Sequence, residues 1–153
     1  MDMNRNLSRR AALASGALAA LAAALAPRFA LADEKMVADE IAKLYAGKKM
    51  DAGKIKLDVP QIAENGLVVP VSVDVESPMT DADFVKAVHI WADGNPQPGI
   101  ASFYFSPDCG KASAATRMRL AQTQNIVCVA EMSNGALFTA KAEVKVTIGG
   151  CGG

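Results

Sequence analysis

A single thiol between two glycine pairs carries the most distinctive chemistry this sequence offers. Cys151 lies within Gly149-Gly150-Cys151-Gly152-Gly153, the last five of 153 residues. Thiolate sulfur is a strong nucleophile that bonds readily to other sulfur atoms, but this cysteine has no side-chain neighbours with which to build a pocket. Its chemistry must therefore be completed by a second protein. Glycine lacks a Cβ, so four glycines in five positions predict a flexible arm that slips into a narrow channel. Extended chain covers roughly 3.3–3.6 Å per residue, so Cys151 is expected to stand about 10 Å beyond Ile148. A thiol on such a tether suits a carrier that takes a bound group to several enzymes in turn. The plain alternative is an ordinary frayed terminus with an incidental cysteine. Three cysteines also leave room for a structural disulfide from Cys151 to Cys109 or Cys128. The tail sequence supplies no helix end and no adjacent cation to lower the thiol pKa from about 8.5, and a terminal carboxylate acts in the opposite sense. Activation is expected from the enzymes that accept the arm.

Elsewhere the residues do not compose an active site. His89 is the only histidine. It sits mid-strand beside Trp91 with no carboxylate or cysteine at metal-ligand spacing, and reads as a packed strand residue. Met36, Met50, Met79, Met118 and Met132 are scattered, so a thioether copper site is not indicated. There is no phosphate-binding glycine loop and no serine elbow. Neither catalytic residues nor a metal site nor a cofactor is expected within the chain, which reads as a non-enzyme. Cys109, in a turn, and Cys128, in a strand, are candidates for a disulfide in an oxidising compartment. Equally, Cys128 alternates with Ile126 and Ala130 and fits a small buried apolar position.

These residues need a compartment and a scaffold. Arg5, Arg9 and Arg10 precede an uncharged Ala/Leu/Gly-rich run at 11–26, and Ala30-Leu31-Ala32 supplies a small-x-small cleavage site. Residues 1–32 read as a signal peptide of the twin-arginine type, with Ala12-Leu13 partly matching the usual Phe-Leu pair; an ordinary secretory signal is the alternative. The run is short and weakly apolar for a membrane span of about 20 residues. A mature chain from Asp33 in the bacterial periplasm is expected. It contains 12 basic and 15 acidic residues, a balance that courts neither nucleic acid nor an anionic membrane. Its length suits one domain with one core.

Within that domain, Met36, Val37, Ile41, Leu44 and Tyr45 recur at helical spacing, predicting an amphipathic helix over 33–47 with Gly47 as its stop. The period then changes to two. Alternation predicts strands at 55–59, 67–75, 85–92, 100–105, 116–120, 126–132 and 138–148, separated by Gly/Asn/Pro/Asp turns such as 93–99. Pro70 points to an edge or a bulge. Seven short strands without intervening helices predict an all-β fold, an immunoglobulin-like antiparallel β-sandwich with a short N-terminal helix. Domain limits are 1–32 for the leader, 33–148 for the sandwich and 149–153 for the arm, with the last strand acting as a rigid mast.

The twin-arginine leader, the β-rich domain, the stretch Val85-Lys86-Ala87-Val88-His89-Ile90-Trp91-Ala92-Asp93-Gly94-Asn95-Pro96, the strand Thr116-Arg117-Met118-Arg119-Leu120-Ala121 and above all the terminal Gly-Gly-Cys-Gly-Gly resemble the SoxY family. The resemblance covers essentially the whole mature chain. It implies a sulfur carrier of the periplasmic thiosulfate-oxidising Sox system, with Cys151 as the covalent attachment point. It further implies a heterodimer with the β-sandwich protein SoxZ and transfer among SoxAX, SoxB and, where present, SoxCD. Cys109 and Cys128 exceed the minimal family pattern, and either can instead bridge to the partner. Rival readings are a periplasmic thiol redox or metal-delivery protein, a carrier of sulfur as a thiocarboxylate on Gly153, and a non-carrier adhesion or assembly module.

Overall fold

Acidic residues at the start of a periodic apolar segment and alternation after it divide the chain into one helix and a set of strands. The computed structural model describes residues 33–150, so the expectations for the leader and for Cys151, Gly152 and Gly153 lie outside the described residues. Helix α1 is Glu34–Tyr45, capped by the Asp33 carboxylate, which accepts from the Met36 N–H at 2.9 Å. Such a cap is worth about 1 kcal/mol. The helix stops one residue before Gly47: Ala46 takes the left-handed conformation at φ 50° and returns its N–H to Ala42 O at 2.8 Å.

Nine strands follow among the described residues: β1 (Asp51–Ala52), β2 (Ile55–Asp58), β3 (Ile62–Asn65), β4 (Val69–Val75), β5 (Val85–Ala92), β6 (Gly99–Tyr104), β7 (Ala112–Met118), β8 (Gln124–Met132) and β9 (Leu137–Ile148). One sheet runs β1-β9-β8-β5-β6, with β3 also paired to β9, and the other runs β2-β4-β7. All seven expected strands are present, and the all-β sandwich is observed. The purely antiparallel expectation is corrected at two places, because β1 and β3 both pair parallel to β9. Pro70 pairs opposite Arg117 on β7, while the pairing of β4 with β2 ends at Ser72. On the β2 side Pro70 thus has no strand neighbour, and its missing N–H breaks no ladder there.

Alternating residues of the two sheets fill the space between them. Val69, Val71, Val73 and Val75 from β4 meet Val88 and Ile90 from β5 and Ile126, Cys128, Ala130 and Met132 from β8. A second, smaller cluster lies on the other face of the large sheet, where Val37 and Tyr45 of α1 cover Trp91, Val129 and Leu137. That cover explains why β5 is buried at nearly every position rather than at alternate ones. β5 and β8 are packed on both faces, and β9 pairs with β8 from Leu137 to Val144. Among the described residues, no helix is long and apolar enough to cross a membrane.

Candidate functional site

The root of the arm is built where β9 outruns β8. β8 begins at Gln124, opposite Val144, so the last four residues of β9 need other partners. β3 supplies them on one side, pairing Ile62 with Lys145, Ala63 with Val146 and Asn65 with Ile148. On the other, Thr123 Oγ1 accepts from the Val146 N–H at 3.0 Å.

Beyond Ile148 three backbone segments close into a ring. Gly66 N–H donates to Ile148 O at 2.7 Å, Leu120 N–H to Gly66 O at 2.8 Å, and Gly150 N–H to Leu120 O at 2.8 Å. The approach is so close that only glycine fits. A Cβ on Gly66 would overlap Leu120 O, one on Gly149 would overlap Ala121 O, and one on Gly150 would overlap the Gly66 carbonyl, all well under 3.0 Å. Freedom of the tether was expected to begin at Gly149, yet both Gly149 and Gly150 lie against neighbouring backbone. Their lack of a Cβ is used here for contact.

The strip that receives them, residues 119–122, is itself held by buried amides. Asn95 Nδ2 donates to Arg119 O at 2.8 Å and its Oδ1 accepts from the Ala121 N–H at 3.0 Å. Gln124 Nε2 donates to the same Oδ1 at 2.9 Å and to Gln122 O at 3.1 Å, while Gln124 Oε1 accepts from the Gly94 N–H at 2.7 Å. Asn95 and Gln124 are only 6% and 4% exposed, so each bond replaces hydration that the amides have lost. Asp93 completes the lock by accepting from both the backbone and the side chain of Asn125 at 2.8 Å. The segment 93–95, read from sequence as a generic turn, is thus the brace for the arm's docking strip.

The remaining candidates fall elsewhere. Cys109 and Cys128, read from sequence as a candidate disulfide or, for Cys128, a small buried apolar residue, are both free in the structure. Cys109 is exposed in a 3-10 turn between β6 and β7, while Cys128 points into the core between the sheets with no exposed surface. Burial pushes the Cys128 thiol up to about 12, so it stays protonated and inert. Its apolar neighbours make it the small core residue that its alternation allowed.

His89 is packed as expected. Its Nδ1 lies 2.7 Å from Ser102 Oγ, and its ring stands among Tyr45, Trp91 and Tyr104 with centroid separations of 6.1, 5.7 and 5.9 Å. Burial lowers its pKa and keeps the ring neutral. Trp91 Nε1 donates to Glu40 Oε2 at 2.9 Å, which ties α1 to β5. Among the described residues, no group of three or more His, Cys, Asp or Glu side chains is placed to hold a metal ion.

Fold and site together define a small β-sandwich protein that braces a glycine-flanked cysteine segment at the end of its longest strand. Residues 41–151 match the family model for sulfur oxidation protein SoxY, a match that ends on Cys151. The chain belongs to the SoxY family. Among solved structures, it is similar to the sulfur carrier protein SoxY from Chlorobium limicola f thiosulfatophilum, with 35% identity and a TM-score of 0.62 over 73% of this chain and 96% of that one. A superoxide reductase (neelaredoxin) from Ignicoccus hospitalis aligns at 15% identity and a TM-score of 0.56, covering 76% of this chain and 94% of that one. A putative superoxide reductase from Thermotoga maritima aligns at 14% identity and a TM-score of 0.52, covering 64% of this chain and 87% of that one. Those two share the fold alone. No curated protein matches the chain.

Proposed function

We propose that this sulfur-oxidation protein carries inorganic sulfur covalently on Cys151 and presents it to partner enzymes of a periplasmic Sox system. The observation that carries the reading is the family match running through Cys151 together with a strand and brace that end beside it. Loading joins the Cys151 thiol to the sulfane sulfur of thiosulfate, Cys–SH + S2O3(2−) giving Cys–S–S–SO3(−), one proton and two electrons. A SoxAX-type haem protein takes the electrons. Hydrolysis by a SoxB-type enzyme then releases sulfate and leaves a persulfide, and a SoxCD-type enzyme, where present, oxidises the remaining sulfur. The carrier supplies the nucleophile and its position; its partners supply the electron acceptor and the water chemistry. A SoxZ-like sandwich subunit completes the heterodimer, and the 1–32 leader delivers the chain to the periplasm.

Replacing Cys151 by Ser tests this directly. Turnover of thiosulfate by the assembled enzymes is expected to vanish while the melting temperature of the domain stays unchanged. Retained turnover refutes the assignment. Dithiol cycling between Cys151 and Cys109, without a sulfur adduct, would favour a redox protein instead.

A further inference from the structure

The two sheets end on edges of different character. In the small sheet the edge strands β2 and β7 carry Lys56, Asp58 and Arg117, charges of the kind that keep an edge from pairing with a further strand. The large sheet ends on β6, and Gly99-Ile100-Ala101-Ser102-Phe103-Tyr104 holds neither a charge nor a proline. One side of this strand is taken by β5. Phe105 N–H donates to Lys86 O at 3.0 Å, so Phe103 and Ala101, two and four residues before it and opposite Val88 and Ile90, also turn their N–H and C=O toward β5. The N–H and C=O of Ser102 and Tyr104 therefore point away from the sheet, and among the described residues they have no partner. The register shift between Ile90 and Trp91 leaves Ile100 out of the pairing, which limits the regular edge to residues 101–104.

Side chains on one face of this edge are also short of neighbours. Ser102 Oγ meets His89 Nδ1, the Tyr104 ring stands edge-on to His89, and His89 in turn packs against Tyr45 of α1, so Ser102 and Tyr104 lie on the face of the sheet that α1 covers. Tyr104 is 75% exposed, and next to it a groove of about 470 Å³ opens between β6 and α1, lined by Glu40, Leu44, His89 and Ser102. Leu44 is exposed there as well. Phe103 turns to the other face and packs against the core. An exposed ring beside a groove, on a strand with open backbone groups, presents both halves of a self-complementary contact.

We propose that β6 is a self-association edge, at which two copies of this chain pair their β6 strands antiparallel about a two-fold axis at Phe103 and join their large sheets into one. With the axis there, Ser102 of one copy lies opposite Tyr104 of the other, and each such pair exchanges both of its outward N–H···O bonds. The open groups of the regular edge are then satisfied, and each Tyr104 ring lies alongside Ser102 of the other copy, on the face where that copy's groove opens. No charge on either strand opposes the approach. A second copy fits this edge better than an unrelated strand, because the two-fold covers both grooves with the same ring that the fold leaves exposed. One short edge with its flanking side chains covers less than the roughly 1,200 Å² at the low end of stable interfaces, so the dimer is transient, with a dissociation constant on the order of 0.1 mM. β9 lies three strands further into the sheet, and the pairing is independent of the carrier reading.

Sedimentation velocity of the purified chain, in reductant so that the exposed Cys109 forms no cross-link, tests this over roughly 5 μM to 1 mM. The sedimentation coefficient is expected to climb from monomer toward dimer across that range. Amide exchange at Ser102 and Tyr104 is expected to slow about five-fold at the upper end, where roughly a fifth of the chains remain monomeric. Tyr104→Asp sets a carboxylate beside the Glu40 groove of the other copy and is expected to weaken pairing by about ten-fold or more, whereas Tyr104→Phe retains it. Ser102→Pro removes an outward N–H without touching the β5 ladder and is expected to leave a monomer. Its melting curve shows whether it folds, and Tyr104→Asp, at an exposed position, decides the matter where it does not. A chain that stays monomeric at about 1 mM overturns the proposal, as does a dimer that Tyr104→Asp leaves intact. Association seen only when a different protein is added assigns the edge to that protein and overturns it as well.

Discussion

Replacing Gly66 by Ala probes the ring that roots the arm. The new Cβ would overlap Leu120 O and stand 2.8 Å from Gly150 N, with Val146 Cγ1 a further 3.1 Å neighbour. All three are backbone or β-branched atoms, so none can swing away, and a segment has to retreat by on the order of 1 Å. Retreat breaks the Leu120–Gly66 and Gly150–Leu120 hydrogen bonds, each worth about 0.5–1.5 kcal/mol net. Residual overpacking adds roughly 1–3 kcal/mol. The variant is expected to lose about 2–6 kcal/mol, a melting temperature drop of roughly 6–30 °C for a domain of this size. Thermal unfolding followed by circular dichroism measures it, and amide exchange at Leu120 and Gly150 locates it. Gly99→Ala is the control, since nothing lies within 4 Å of a Cβ there. If Gly66→Ala melts within a degree or two of Gly99→Ala, the close approach is not a constraint and the reasoning fails.

Other consequences are open to equally direct measurement. Asn95→Ala leaves the Ala121 N–H and Gln124 amide short of a partner in a buried place, so a loss of about 2–4 kcal/mol is expected in denaturant unfolding, against near wild-type stability for Pro96→Ala on the exposed side of the same turn. In native protein Cys109 is expected to react with a neutral thiol reagent within minutes, whereas Cys128 reacts only on unfolding; equal rates would contradict its burial. The lowered pKa of His89 means the unfolded chain binds its proton first. Its contribution is therefore complete above the unfolded value near 6.5 and is lost as pH falls through the folded value. The pH slope of stability below 6.5 is expected to flatten in His89→Gln, and an unchanged slope would assign the effect to other groups.

Alternation made seven strands legible because one face of each is wet or because flanking turns bound it. β1 and β3 escaped for physical reasons. β1 is two residues long, too short for a period to register, β3 reads Ile-Ala-Glu-Asn without apolar alternation, and both pair with β9, some eighty residues away in sequence. β7 begins at Ala112, four residues ahead of its expected start, because Ala112, Ala114 and Ala115 offer little contrast between faces. The thiol is singled out by residue type and flanking glycines alone, since it lies outside the described residues. What its glycine neighbours do was not legible from sequence. Glycine composition reads the same whether the missing Cβ grants freedom or permits contact, and only the positions of Leu120, Ala121 and Gly66 distinguish the two at Gly149 and Gly150. Asn95 carried no signal beyond turn preference; its two bonds to the 119–121 strip exist only once β7 and β5 share a fold.

The central claim is that sulfur resides on one atom. Peptide mapping of the chain after incubation with thiosulfate, the proposed β-sandwich partner and the proposed haem-containing oxidant enzyme tests it most directly. The account predicts a reductant-labile addition of S2O3 on the peptide 146–153, located at Cys151 and missing from Cys151→Ser. An adduct on Cys109 with Cys151 unmodified, or equal loading of a chain ending at Ile148, would contradict it.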